Sequence, residues 1–357
     1  MVHWAGEKFP TFDGSGWALW NPPCIEHFDS ARALAEAVRR KSGLVLVGVP
    51  GGQRLVPPET AQGLPASARF VAASRLEMTA YTVLVLALLQ VALALWVQRT
   101  EPLGFAVSAL GLAVLCYAEA RSRRRDPGFA LERAKFFLWM QRDRQFRFAG
   151  IACVVALSAV GLAQVIAQHL LGGQLPLWER IGVVYPLVRE GEYLRLLSGP
   201  FLHYSFVHFA VNLAGLCIAF PLVVSLLGPL RGVAYPLLVN AIAAAAQLAL
   251  GGDQYDNMGG LSGGLYGLMG LIAVVGMAVP GALPAGLGRM TAFVSVFGIV
   301  GAELGSGTAA TTCHVAGLLS GVALGAIEAR RLRASAAACS RVAEERSGEQ
   351  AERTALP

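Results

Sequence analysis

GLSGGLYGLMGLIAVVGMAV, residues 260–279, carries no charged side chain over its whole length. About 20 such residues, wound as a helix, are long enough to cross the hydrocarbon core of a bilayer. Seven more apolar runs accompany it, at approximately 79–97, 103–118, 148–171, 205–228, 232–250, 285–302 and 312–327. The whole chain of 357 residues is 55% hydrophobic and 15% charged, with a mean hydropathy of +0.54. A soluble domain usually carries about a quarter charged residues. The fold class expected is therefore an all-α polytopic membrane protein. The first 30 residues contain no apolar h-region, so no cleaved signal peptide is expected.

Charge sets the expected orientation. With eight spans, 25 of the 29 Lys and Arg residues fall on one side, nine of them in 119–147 alone. The other side keeps Arg99, Arg180, Arg189 and Arg195. Basic loops stay cytoplasmic, so both termini are expected in the cytoplasm. This asymmetry accounts for the net charge of +6, and no nucleic-acid partner is implied. The six cysteines are scattered without a C-x-x-C pair, which predicts free thiols and no zinc site.

The chain divides into a cytoplasmic block 1–77, a transmembrane hairpin 78–118, a basic linker 119–147, a core 148–327 and a polar cytoplasmic tail 328–357. In the first block, Asp29 is a candidate N-cap for a helix through Arg40, and Leu44–Val49 reads as a buried strand. GVPGGQR lacks the phosphate-loop pattern. The Pro-containing stretch 57–66 reads as a linker, and the block is assigned a regulatory or packing role. The FFLWM run inside 119–147 fits either an amphipathic helix on the anionic inner surface or a solvated charged linker. The tail is polar enough to be disordered.

Polar side chains within spans are costly and so mark function. His208 and Asn212 lie on the fourth run, Asn240 on the fifth, Ser262 and Tyr266 on the sixth, and His314 on the eighth. The fourth, sixth and eighth runs cross the membrane in the same direction. His208, Ser262 and His314 each fall near the start of their run, so they share one shallow layer at the outer side. His208 and Asn212 are i, i+4, as are Ser262 and Tyr266, and each pair shares a helix face. Gly263 and Gly267, with the stripe Gly317, Gly321 and Gly325, allow close helix packing. Such packing brings Ser262 within reach of His314, as nucleophile and base. His208, Asn212 and the Ser262 N–H are candidate oxyanion donors, and the positive end of the helix favours the same charge. Tyr266 can orient the His314 ring. No carboxylate lies deep in these runs, so a dyad is expected; the nearest acid, Asp256, sits in a loop and is disfavoured as a third member.

Other readings exist. Serine and small-residue stripes serve packing in many membrane helices. A metal site would draw on His203, His208 and His314, but no carboxylate joins them, and a five-residue spacing suits one helix face poorly. A transporter would carry charges near the midplane. A non-catalytic binder of transmembrane segments would not need the Ser262–His314 pair.

These residues resemble the rhomboid family of intramembrane serine proteases over about 148–327. GLSG (260–263) with Tyr266 is similar to the nucleophile motif, HFAVN (208–212) to the family's H-x-x-x-N, and HVAGLLSG with Gly317 and Gly321 to the last-span motif. Glu192 and Arg195, eight residues before His203, resemble a structural motif of the first outer loop, although Leu194 stands where Trp is frequent. The resemblance implies a six-helix core preceded by an added hairpin, a Ser262–His314 dyad, and an oxyanion hole from His208, Asn212 and the Ser262 N–H, with Tyr266 and Gly260 in support. It implies structural roles for Glu192, Arg195, His203, Gly317 and Gly321. It further implies cleavage of single-span membrane proteins within the bilayer, with no cofactor and no metal, and a lateral gate formed by about 285–302 and the loop after it. The added hairpin is expected to bind partners or restrict substrate access. The Ala- and Arg-rich composition suits a bacterial plasma membrane, and the sequence carries no signal for oligomeric state.

Overall fold

The computed structural model describes residues 4–251, 257–306 and 310–355. The chain begins with strands β1 (Trp17–Asn21) and β2 (Cys24–Phe28), helix α1 (Ala31–Arg40), strand β3 (Leu46–Gly48) and helix α2 (Ala66–Arg69). Four longer helices follow: α3 (Val71–Val97), α4 (Glu101–Arg125), α5 (Pro127–Arg142) and α6 (Arg144–Leu170). Then come the short elements α7 (Gln174–Ile181), β4 (Val183–Val184), α8 (Tyr185–Arg189) and α9 (Arg195–Ser198). The chain closes with α10 (Phe206–Leu227), α11 (Pro229–Leu250), β5 (Asn257–Met258), α12 (Ser262–Ala278), α13 (Leu287–Ser306) and α14 (Thr311–Ala355).

Every apolar run is helical. Among the described residues, α3, α4, α6, α10, α11, α13 and α14 are long and apolar enough to cross a membrane. The protein is thus an all-α polytopic integral membrane protein. Run length and helix length differ at two places. The run 103–118 lies within a 25-residue helix, α4, because a helix does not end where its apolar stretch ends. α12 instead has 17 residues.

Two compact units can be distinguished, one of residues 2–159 and 292–312, the other of residues 160–291 and 313–357. In the first, a three-stranded antiparallel sheet has the order β2-β1-β3, with Leu19 opposite Glu26 on one side and Val47 on the other. The β1–β2 hairpin was missed in the sequence. α1 packs Leu34, Ala35 and Val38 onto this sheet. Its N-cap is Ser30, whose hydroxyl accepts from the Ala33 N–H at 3.2 Å, and not Asp29.

Two further expectations for this unit are changed by burial against protein. The 57–66 stretch is no free linker: Pro58, Glu59, Ala61 and Leu64 are buried, and Ala61 and Leu64 join the α1 core. The FFLWM segment belongs to α5 and is not a solvated linker: Phe136, Leu138 and Trp139 are buried in protein, while Phe137 is exposed. Leu138 and Ala134 pack on Phe9, Phe12, Leu46 and Leu55, and the Phe136 ring meets Trp4 edge-on at 6.0 Å. In the hairpin α3–α4, α4 touches residues of α13: Gly104 lies against Gly301 and Gly305, and Gly111 against Phe297. That leaves this face of the hairpin covered by protein.

In the second unit, α10, α11 and α12 pack on one another. α12 and α14 run parallel at a constant offset: Gly317 meets the Gly263 backbone, Gly321 that of Gly267, and Gly325 that of Leu271. Each i, i+4 step on one helix matches a step on the other. The tail from residue 328 is not disordered but continues α14, since Ala, Glu and Arg are strong helix formers. Glu328 itself is fully buried, paired with Arg331 at 2.7 Å and Arg231 at 3.2 Å and accepting from the Tyr235 hydroxyl at 2.5 Å.

Replacing Leu138 by Ala is expected to cost about 2–5 kcal/mol, the usual cost of emptying a well-packed leucine site. Thermal melting of the purified protein measures it, and an unchanged melting temperature would count against this packing of α5.

Candidate active site

α10 begins at Ser205, whose hydroxyl accepts from the His208 N–H at 3.2 Å. This cap fixes His208 in the first turn, and Asn212 follows on the same face, buried to 2% exposure. Gly260 lies against both. A Cβ there would stand 2.7 Å from His208 Nε2 and 3.5 Å from Asn212 Nδ2. Its φ of +105° also demands glycine. Two residues on, Ser262 opens α12.

Ser262 Oγ and His314 Nε2 are 2.8 Å apart. His314 is buried, and its Nδ1 has no hydrogen-bond partner. The Tyr266 ring lies 4.9 Å from the His314 ring, centroid to centroid, at 47°. The seam described above brings the two helices this close. Because a side chain at 317 or 321 would run into the Gly263 or Gly267 backbone, only glycine permits the approach.

The electrostatics favour negative charge beside Ser262. The first N–H groups of a helix lack intrahelical acceptors, and the helix end is partly positive. Asn212 Nδ2 is likewise buried with no partner. A hydroxyl hydrogen-bonded to an imidazole, beside unengaged N–H donors, can transfer its proton, attack a carbonyl and hold the resulting oxyanion.

Two residues of α11 hold this arrangement, and only one of them stood out in the sequence. Asn240 Oδ1 accepts from the Gly264 N–H at 2.9 Å, in the first turn of α12. Gln247 Oε1 accepts from the Cys313 N–H at 2.9 Å, immediately before His314. Asn240 and Gln247 are seven residues apart, two helical turns on one face. Both are buried. Each supplies an acceptor that a helix start lacks, so α11 fixes both helix mouths at once. A glutamine within an apolar run was the signal that could have found the second.

The remaining site residues support the loop before α10. Arg195 is buried, pairs with Glu192 at 2.7 Å, and donates to Gly182 O at 3.0 Å and Glu179 O at 2.8 Å. β4 pairs with β5 through Val183↔Met258 and Val184↔Asn257, which anchors the chain leading to Gly260. Leu194, where the motif often has Trp, is exposed beside exposed Tyr193 and Leu197, an apolar patch that can take the place of one indole. His203 does not touch Ser262 or His314 by a hydrogen bond. Its backbone is clamped by Gln164, which donates to His203 O at 2.7 Å and accepts from His203 N at 3.0 Å. Its ring lies 5.2 Å from that of His208. Asp256 lies outside the described residues. Among the described residues, no group of three or more His, Cys, Asp or Glu could hold a metal ion.

Burial pushes the His203 imidazole down to about 4, with His208 adding to the effect. An unfolded chain takes up that proton near pH 6.5. The contribution to stability is therefore present above pH 6.5 and is lost as pH falls towards 4. A melting series should show this slope, and His203→Phe should flatten it. Gln247→Leu and Asn240→Leu are each expected to cost about 1–3 kcal/mol, because a buried N–H loses its acceptor. They should also slow labelling of Ser262 by a fluorophosphonate, and unchanged labelling would separate α11 from the geometry of the pair.

Residues 190–331 match the family model described as Rhomboid domain. The match begins after α6, so it takes in α10 to α13 and the start of α14. No curated protein matches the chain.

Proposed function

From the match of residues 190–331 to the Rhomboid domain model, we propose that this protein is a rhomboid-type intramembrane serine endopeptidase that cuts single-span membrane proteins in or near their transmembrane segment. The observation that carries the reading is the 2.8 Å contact between Ser262 Oγ and His314 Nε2 at the mouths of two parallel helices.

His314 Nε2 takes the Ser262 proton as Oγ attacks the scissile carbonyl. The tetrahedral oxyanion is held by the Ser262 N–H, Asn212 Nδ2 and the His208 ring, in the field of the α12 N-terminus. His314 then returns the proton to the leaving amine, and water repeats the sequence on the acyl-enzyme. The His314 Nδ1 without a partner supports a dyad in place of a triad. The Tyr266 ring packs against the imidazole and limits its rotation. A substrate helix hides its carbonyls in its own hydrogen bonds, so cleavage needs local unwinding, and segments with small or helix-breaking residues are favoured. No cofactor or metal is used.

Both termini are assigned to the cytoplasm on the strength of the basic side of the chain, which puts Ser262 towards the outer face of a bacterial plasma membrane. The hairpin α3–α4, which covers Gly301 and Gly305 of the proposed gate helix, is read as a restraint on substrate access.

Proteoliposomes carrying a tagged single-span substrate test the proposal. Wild type should cut, while Ser262→Ala and His314→Ala should be silent. Asn212→Ala should lose roughly 10²–10³-fold in turnover, the usual cost of one oxyanion donor. Cleavage that survives Ser262→Ala would refute the dyad. Failure to cut together with failure of a serine probe to label Ser262 would favour a non-catalytic binder of transmembrane segments.

A further inference from the structure

Far along the chain from Ser262, the unit formed by residues 2–159 and 292–312 encloses a cavity of about 410 Å³. Its walls carry Lys41, Arg69, Arg75 and Arg123 against a single carboxylate, Glu59. Val45, Val71, Ala72, Ala130 and Phe137 supply an apolar side. The volume lies in the range of small-molecule sites.

The cations are not equally engaged. Arg123 pairs with Glu59 at 3.0 Å and with Glu119 at 3.2 Å, and Lys41 pairs with Glu26 at 2.7 Å. Arg75 donates only to main-chain carbonyls, those of Lys41 and Arg39 at the end of α1. Arg69 donates to the Glu59 carbonyl at 3.0 Å, and its Nε–H is buried with no acceptor. Among the described residues, neither Arg69 nor Arg75 has a carboxylate partner. A buried guanidinium N–H without an acceptor is costly and calls for an anion.

We propose that this cavity binds a phosphate-bearing anion, supplied either by the headgroup of an anionic phospholipid or by a soluble phosphate ester. Phosphate suits the residues because guanidinium forks match its oxygens in pairs. The apolar wall suits an ester, whose carbon body needs cover, better than a bare ion. The location suits a headgroup. Arg75 lies near the start of α3 and Arg123 in the last turn of α4, at the same end of the hairpin, where basic pockets meet lipid phosphates. Bound there, the ligand joins the end of α1 and the strand-leading segment Gly43–Val45 to the feet of both hairpin helices.

The test uses the full chain, purified and delipidated in a maltoside detergent. Its melting temperature is followed against dihexanoyl phosphatidylglycerol, dihexanoyl phosphatidylcholine and glycerol phosphate. A ligand that binds the folded state raises melting in a saturable way. A rise with phosphatidylglycerol alone assigns the site to a lipid headgroup. A rise with glycerol phosphate as well assigns it to a soluble ester. In either case the double variant Arg69→Gln/Arg75→Gln should weaken binding at least about tenfold, since two charge-assisted contacts are lost. No rise with either probe, or an equal rise in the variant, overturns the proposal. Hydrogen exchange on the wild type stands independent of the variant's folding. Ligand should protect the backbone at Lys41–Val45 and Val71–Arg75, and stabilisation without protection there also overturns it.

Discussion

How near two helices can come decides what this protein can do. α12 and α14 touch backbone to backbone along Gly263–Gly317 and Gly267–Gly321. Without that contact a serine hydroxyl on one helix and an imidazole on the other could not share a proton. The glycines weaken each helix on its own, by about 1 kcal/mol per interior position relative to alanine. Packing must offset that loss. In an apolar medium it comes from dispersion contacts and interhelical hydrogen bonds, because lipid offers no hydrophobic drive between helices. The seam is thus both the weakest part of each helix and the origin of the site.

The polar groups around the seam follow from the same scarcity. A bilayer gives helix starts no water to bond, so α11 provides amide side chains for α12 and α14. Their acceptors also orient the first turns that carry Ser262 and His314. Buried amides with fixed partners specify a single helix register, and a slide of either helix would strand an N–H. On the loop side, Arg195 does similar work with main-chain carbonyls, and Gln164 with the backbone of His203.

The eight runs were legible because apolar length is a strong signal, and Ser262, Tyr266, His208, Asn212 and His314 were legible because polar atoms are rare within such runs. Their convergence followed from span parity and i, i+4 spacing alone. Gln247 was passed over because an uncharged amide gives a weaker signal than an imidazole, and its partner is a main-chain N–H that sequence does not display. Errors gathered in the first 147 residues. An apolar helix face reads the same whether it will meet lipid or protein, so the sequence offered a membrane-surface helix or a solvated linker for 119–147 and did not show that Leu138 belongs to the core of the small sheet. The stretch 57–66 shows the prolines of a linker, yet Pro58 and Leu64 are packed inside. The β1–β2 hairpin had a turn cue, Asn21-Pro22-Pro23, between strands too short to show alternation. Helix ends were misjudged at α4 and α14 because hydropathy reports the membrane boundary, and a helix continues past it.

The shortness of α12 has a consequence for the depth of its ends. Its 17 residues span about 25 Å, against roughly 30 Å of hydrocarbon. Because α12 is largely buried by its neighbours, the mismatch falls on protein and not on lipid, and one of its ends lies sunken below the level of the headgroups. If the Ser262 end is the sunken one, its hydroxyl sits at the bottom of a recess in the protein that water can fill, and the thickness of the bilayer sets how far that recess lies from the headgroups.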